Sequence, residues 1–186
     1  MRIIAGEARG RRLLSPAGND TRPTSDRVRE SVFNIIGRAI ADACVADLFG
    51  GTGAMALEAL SRGASKALIS DCSEQAVRII RKNALLVLGE EGISRATILK
   101  TDYRSAIARM QRDTYSFVFL DPPYRMKEAY ASALDLMAAG GCLKDGWTAV
   151  LEREADERIE LPDVYEVYDS RRYGRAAVDF VRRSLS

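Results

Sequence analysis

Histidine is absent from this 186-residue chain. That absence excludes serine or cysteine nucleophiles paired with a histidine base, histidine general acid–base chemistry, and most transition-metal sites. Cysteine is scarce. Cys44, Cys72 and Cys142 are odd in number, far apart and without metal-ligand spacing, so neither a disulfide framework nor a bound metal is expected. Cys44 lies in an apolar run and reads as a small core residue. No apolar run approaches the roughly 20 residues that cross a bilayer, so no membrane partner is expected. Met1-Arg2-Ile3-Ile4 shows no apolar stretch ahead of a small-residue cleavage site, and a cytoplasmic location is the expectation. Repeats, low-complexity tracts and long linkers are also lacking. With 47% hydrophobic and 29% charged residues, the chain reads as globular with a sizeable core.

Net charge is only +2, too little to argue for nucleic acid by itself, but its distribution says more. Arg2, Arg9, Arg11 and Arg12 stand against Glu7 near one end; Arg171, Arg172, Arg175, Arg182 and Arg183 stand against Asp169 and Asp179 near the other. The planar guanidinium suits phosphate and base stacking better than an ammonium does. A merely solvated surface is the alternative.

Residues 1–24 read as a basic arm or short hairpin rich in turn formers, and 25–186 as one α/β domain. Thr24 is a plausible N-cap, followed by Val28, Val32, Ile35, Ile36 and Ile40 at helical spacing. Strands are predicted at 43–49, 66–70, 96–99, 116–120, 147–152, 165–169 and 176–181. Helices are predicted at 54–61, 74–89, 105–112 and 127–138. The alternation predicts a mostly parallel sheet with helices on both faces, closed by an antiparallel hairpin. Ligands of such sheets bind beyond the carboxyl ends of the strands.

Asp47-Leu48-Phe49-Gly50-Gly51-Thr52-Gly53 joins the first strand to a helix. Gly51, Gly53 and Ala56 satisfy the G-x-G-x-x-A pattern of dinucleotide sites, so a nicotinamide cofactor is one reading. Asp47 favours another. A carboxylate there suits the α-amino group of S-adenosylmethionine and is a poor neighbour for pyrophosphate. Asp71, after the second strand, is placed for ribose hydroxyls. Asp102 and Tyr103, after the third, are placed for adenine, with Asp102 accepting from its amino group.

The most specific signal is Asp121-Pro122-Pro123-Tyr124, directly after the apolar Phe117-Val118-Phe119-Leu120. Prolines fix the backbone and remove N–H donors, leaving carbonyls such as that of Pro122 free to accept. A carboxylate and a fixed carbonyl can hold both hydrogens of an –NH₂ group. The amino nitrogen of a nucleobase is a poor nucleophile because its lone pair is delocalised into the ring. Two acceptors orient that lone pair and offset positive charge developing on nitrogen during in-line displacement. Tyr124 offers a face for base stacking.

On these residues, with Met1-Arg2-Ile3-Ile4-Ala5-Gly6, Arg9-Gly10-Arg11, Arg22-Pro23-Thr24-Ser25-Asp26-Arg27-Val28-Arg29-Glu30 and Tyr173-Gly174, the chain resembles the bacterial RsmD-like family of 16S rRNA (guanine-N2) methyltransferases. The resemblance covers essentially the whole length. It implies a class I, Rossmann-like methyltransferase fold with a small N-terminal extension. It also implies methylation of a guanine 2-amino group in 16S rRNA of the small ribosomal subunit or an assembly intermediate. The cofactor is implied against Asp47, Phe49, Gly50, Gly51, Gly53, Asp71, Asp102 and Tyr103, and the target base at Asp121, Pro122 and Tyr124. Arg9, Arg11, Arg12, Arg22 and Arg27 are the expected RNA contacts; Arg29 is open between RNA and an ion pair with Asp26. A monomer suffices. The turn departs mildly from the more usual Ala-Gly-Ser-Gly, and Asp71 stands where a longer Glu is more usual. The competing readings are a DNA adenine or cytosine amino-methyltransferase and a non-catalytic cofactor- or RNA-binding module.

Overall fold

The computed structural model describes residues 1–16 and 26–184. Helix α1 (Asp26–Ile36) buries Val28, Val32, Phe33 and Ile36, then tightens into a 3₁₀ turn over Gly37–Ile40. There follow β1 (Cys44–Asp47), α2 (Ala54–Ser61), β2 (Lys66–Asp71), α3 (Glu74–Gly92), β3 (Ala96–Lys100), α4 (Tyr103–Ile107) and β4 (Tyr115–Leu120). The order ends with α5 (Ala129–Gly140), β5 (Leu143–Glu154), β6 (Tyr165–Tyr173) and β7 (Ala176–Arg183). The strands form one seven-stranded sheet in the order β3-β2-β1-β4-β5-β7-β6. The first five in that order are parallel neighbours, while β7 runs antiparallel between β5 and β6.

Each face of the sheet carries its own core. Phe33 of α1, Leu57 of α2 and Ile80 of α3 pack with Phe119, Val150 and Phe180 on one face. On the other, Ile107, Tyr130, Leu134 and Met137 pack with Val118, Leu120 and Leu151. Residues 119 and 120, or 150 and 151, fall in opposite cores because successive strand side chains alternate faces.

Several predicted bounds are corrected. Helix α4 begins at Tyr103, not Ser105, because Asp102 accepts from the N–H groups of Arg104 and Ser105 as its N-cap, and it ends at Ile107 rather than 112. Helix α5 begins at Ala129, two residues late, after a turn in which Met126 donates to the Pro123 carbonyl. Strands β5 and β6 run beyond 152 and 169, because ladder pairing with β7 carries them through polar positions. The predicted stop at Gly89 is a kink with φ 69°, after which helix continues to Gly92.

The arm folds back on itself through an Arg2–Arg12 bridge and buries Ile3, Ala8 and Leu13 in the first core. Glu58, wholly buried on α2, accepts from Ile4 N–H at 2.8 Å and Ala5 N–H at 3.0 Å. It also meets Arg62 at 2.7 Å and Arg29 at 3.5 Å. Arg29 is fully buried and pairs with Asp26 at 2.9 Å, so it is a structural cation and not an RNA contact. Thr24, Arg22 and the expected 24/25 boundary lie outside the described residues. No helix among the described residues is long and apolar enough to cross a membrane.

Candidate active site

The turn after β1 brings the glycines to the edge of the sheet. Gly51 and Gly53 have φ of 54° and 78°, backbone that side chains with a Cβ rarely adopt. Gly50 is needed for a different reason: a Cβ there would stand 2.7 Å from Ile69 Cγ2. Gly51 N–H donates to Asp71 Oδ2 at 2.9 Å, and Ser73 N–H to Asp71 Oδ1 at 2.8 Å. The carboxylate expected at the ribose is therefore pinned beside the turn.

Two adjoining cavities open here, of about 310 and 560 Å³, within the range of small-molecule sites. Both include Phe49, Gly51, Asp71, Asp121 and Glu152. The smaller runs inward past Asp47, Gly50 and Val32 to Met1 and Val178. The larger holds Asp102, Tyr103, Pro122 and Tyr124. Gly53 alone among the expected cofactor residues lines neither; it packs toward Ile80 and Leu57 behind the turn.

Asp47 is buried, and burial pushes its pKa up to about 7 against the backbone bonds from Ala56 and Phe49 that favour the charged form. A carboxylate in such surroundings is best satisfied by a cation. That is the observation by which the residues fit an amino-acid-bearing, positively charged cofactor. Asp102 is more committed than expected: besides the two α4 amides, Ser105 Oγ donates to it at 2.8 Å. These bonds hold its carboxyl below the usual range. Tyr103 is a buried wall, its ring 5.5 Å from that of Phe49 and its hydroxyl 3.1 Å from Ser132 Oγ.

Asp121 is exposed to the cavities and Pro122 is buried beneath it. Tyr124 is 66% exposed, with Lys127 Nζ 4.9 Å from its ring centre and Lys127 paired to Glu157. The Tyr130 hydroxyl donates to the Glu152 carbonyl at 2.6 Å. Burial, then the charges of Asp121, Glu157 and Glu152, keep that hydroxyl protonated. Among the described residues no group of acidic, cysteine or histidine side chains is arranged to hold a metal.

Of the expected RNA contacts, Arg9, Arg11, Arg12 and Arg27 are exposed and Arg22 lies outside the described residues. Arg11 is tied down, its guanidinium donating to the Leu86 and Val87 carbonyls near the kink of α3.

Sequence reasoning missed Asn83. It is wholly buried, donates to Thr52 O at 2.9 Å and Leu14 O at 3.0 Å, and accepts from Leu14 N–H at 2.7 Å. It thereby fastens the arm to the glycine turn. A polar residue on the apolar face of a predicted helix, between Ile80 and Val87, was the available signal.

The seven-stranded sheet has the fold of a solved structure described as a putative SAM-dependent methyltransferase from Streptococcus mutans, with a TM-score of 0.66 at 15% identity over 83% of this chain and 47% of that one. The chain belongs to the family described as conserved hypothetical protein 95, the RsmD family, whose model matches residues 1–182. It is 33% identical over 186 residues to ribosomal RNA small subunit methyltransferase D of Escherichia coli K12, covering 98% of this chain and 90% of that one. It is 35% identical over 165 residues to the putative rRNA methyltransferase YlbH of Bacillus subtilis, covering 88% and 86%. A solved structure described as the putative methyltransferase yhhF from Escherichia coli superposes with a TM-score of 0.83 at 30% identity, covering 98% and 97%.

Proposed function

We propose that this protein transfers a methyl group from S-adenosylmethionine to the 2-amino group of a guanine in 16S rRNA. On this reading it acts as a cytoplasmic monomer on the small ribosomal subunit or a precursor of it. The observation that carries the chemistry is Asp121-Pro122-Pro123-Tyr124 lining the larger cavity together with Phe49 and Gly51 of the β1 turn, with Asp121 reaching the smaller one as well. The ribosomal substrate is supported by the relatives, which are named as rRNA methyltransferases.

Asp47 takes the cofactor's ammonium, Asp71 its ribose, and the wall of Phe49 and Tyr103 flanks its adenine. When bound, the sulfonium supplies an electrophilic methyl and a neutral thioether leaving group. Asp121 and the Pro122 carbonyl accept the two amino hydrogens and aim the nitrogen lone pair, while Tyr124 stacks on the base. The proton leaves the alkylated nitrogen for Asp121 or water.

The test is transfer of labelled methyl to small subunits that lack their native methylations, followed by nucleoside analysis. Label is expected in N2-methylguanosine, with Asp121→Ala binding S-adenosylhomocysteine normally yet transferring nothing. Label in another nucleoside would overturn the guanine assignment. Binding without any transfer would overturn the enzymatic one.

A further inference from the structure

Glu152 is unassigned by the chemistry above, yet it lines both cavities, as Asp121 does. Strand register explains why. Leu120 of β4 pairs with Leu151 of β5, so the next residues, Asp121 and Glu152, follow side by side where the parallel β4–β5 pairing ends, β5 itself running on to Glu154 against β7. Phe119 and Val150 belong to the first core, and two residues further on the side chains return to that face. The Glu152 backbone is held from both sides, by the Tyr130 hydroxyl on its carbonyl and by pairing with Val178 of β7. Glu157 lines only the larger cavity and is engaged by Lys127.

The guanine edge that presents the 2-amino group presents N1–H directly beside it. If Asp121 receives an amino hydrogen, the adjoining N1–H needs an acceptor next to Asp121. An ionised carboxylate accepts and cannot donate. A base with a bare ring nitrogen at that position would place its lone pair against negative charge, which rejects it as effectively as a clash.

We propose that Glu152 accepts the N1–H of the target guanine and is the specificity-determining residue of the site. This rests on the guanine reading above and adds the group that enforces it.

The discriminating substrate is 2-aminopurine, which keeps the 2-amino group but has a bare N1. Small subunits reconstituted with guanine or 2-aminopurine at the methylated position would be compared by kcat/KM. The wild type should favour guanine by about 10⁴-fold, the scale for a site built around a substrate N–H. Glu152→Gln can turn an amide N–H toward the bare nitrogen and should shrink that preference by about 10²-fold or more. Glu152→Ala, which removes the acceptor without adding a donor, should narrow it too, chiefly by losing guanine transfer. Affinity for S-adenosylhomocysteine should be unchanged in both, showing an intact fold. Loss of both substrates by one common factor, with the ratio preserved in both variants, would overturn the proposal. Failure of the wild type to methylate guanine would instead overturn the reading beneath it.

Discussion

Asp47 ends β1 with its carboxyl group buried, and its pKa is raised from 3.8 to about 7 by that burial, with a smaller contribution from Asp71. Between those two values the folded chain retains a proton that the unfolded chain has lost. Stability of the ligand-free protein therefore falls as pH rises through that window and levels off above it. A bound ammonium acts oppositely by favouring the carboxylate. Affinity for S-adenosylhomocysteine should rise as pH climbs toward 7 and decline by up to about tenfold per unit below it. Asp47→Asn should bind the ligand weakly at every pH, and its melting temperature should lack the wild type's decline between about pH 5 and pH 7. Calorimetric titration and thermal melts across pH check both arms; an unchanged pH profile in the variant would remove Asp47 from the cofactor site.

At the scale of elements, α4 is short and depends on its first residue. Asp102 satisfies two amides that a helix start leaves without partners. Asp102→Ala should cost about 1 kcal/mol in urea denaturation, whereas Asp102→Asn, itself a good cap, should cost only a few tenths. If the two variants are equally destabilised, the cap is not what holds α4. This cap also marks where the sequence stopped being legible. The bounds of α2, Ala54–Ser61, follow from glycines on both flanks and agree with the pattern. The start of α4 lies earlier than the pattern predicts because Asp102 is its N-cap, a role that shows only once its bonds to the Arg104 and Ser105 amides are in place. Strand β6 runs past the predicted end at Asp169, although Ser170, Arg171 and Arg172 show no apolar alternation. Their place in the ladder comes from partners on β7. The glycine turn and the Asp-Pro-Pro-Tyr segment are legible as local patterns, and the structure brings both to the lining of the larger cavity. Asn83 and Glu58 were not, because a buried polar side chain makes sense only once its distant partners, Leu14, Thr52, Ile4 and Ala5, are in place.

Across the whole molecule, the arm is both basic and built into the core. Ile3 and Leu13 read as part of an extended segment until α2 is set beside them, so their burial was not foreseeable from spacing. The arginines then divide. Arg9 and Arg12 are exposed, while Arg11 is held by carbonyls of α3. Charge removal at Arg9 and Arg12 should weaken RNA binding and flatten its dependence on log salt by roughly 0.7–0.9 per lost phosphate contact. Arg11→Gln should change that slope less and instead loosen the kinked end of α3. Filter binding at several salt concentrations separates these outcomes, and equal slopes for all variants would make the arm purely structural.

The placement of β7 between β5 and β6 also sets an order of events. As the chain leaves the ribosome, β5 and β6 emerge before the strand that must join them, and neither can complete its ladder until residues 176–183 follow. Val178, which lines the inner cavity, arrives with that same strand. The candidate site is thus completed only after both β5 and β6 have emerged, and nascent chains short of β7 leave β5 with an open edge and β6 without its ladder partner.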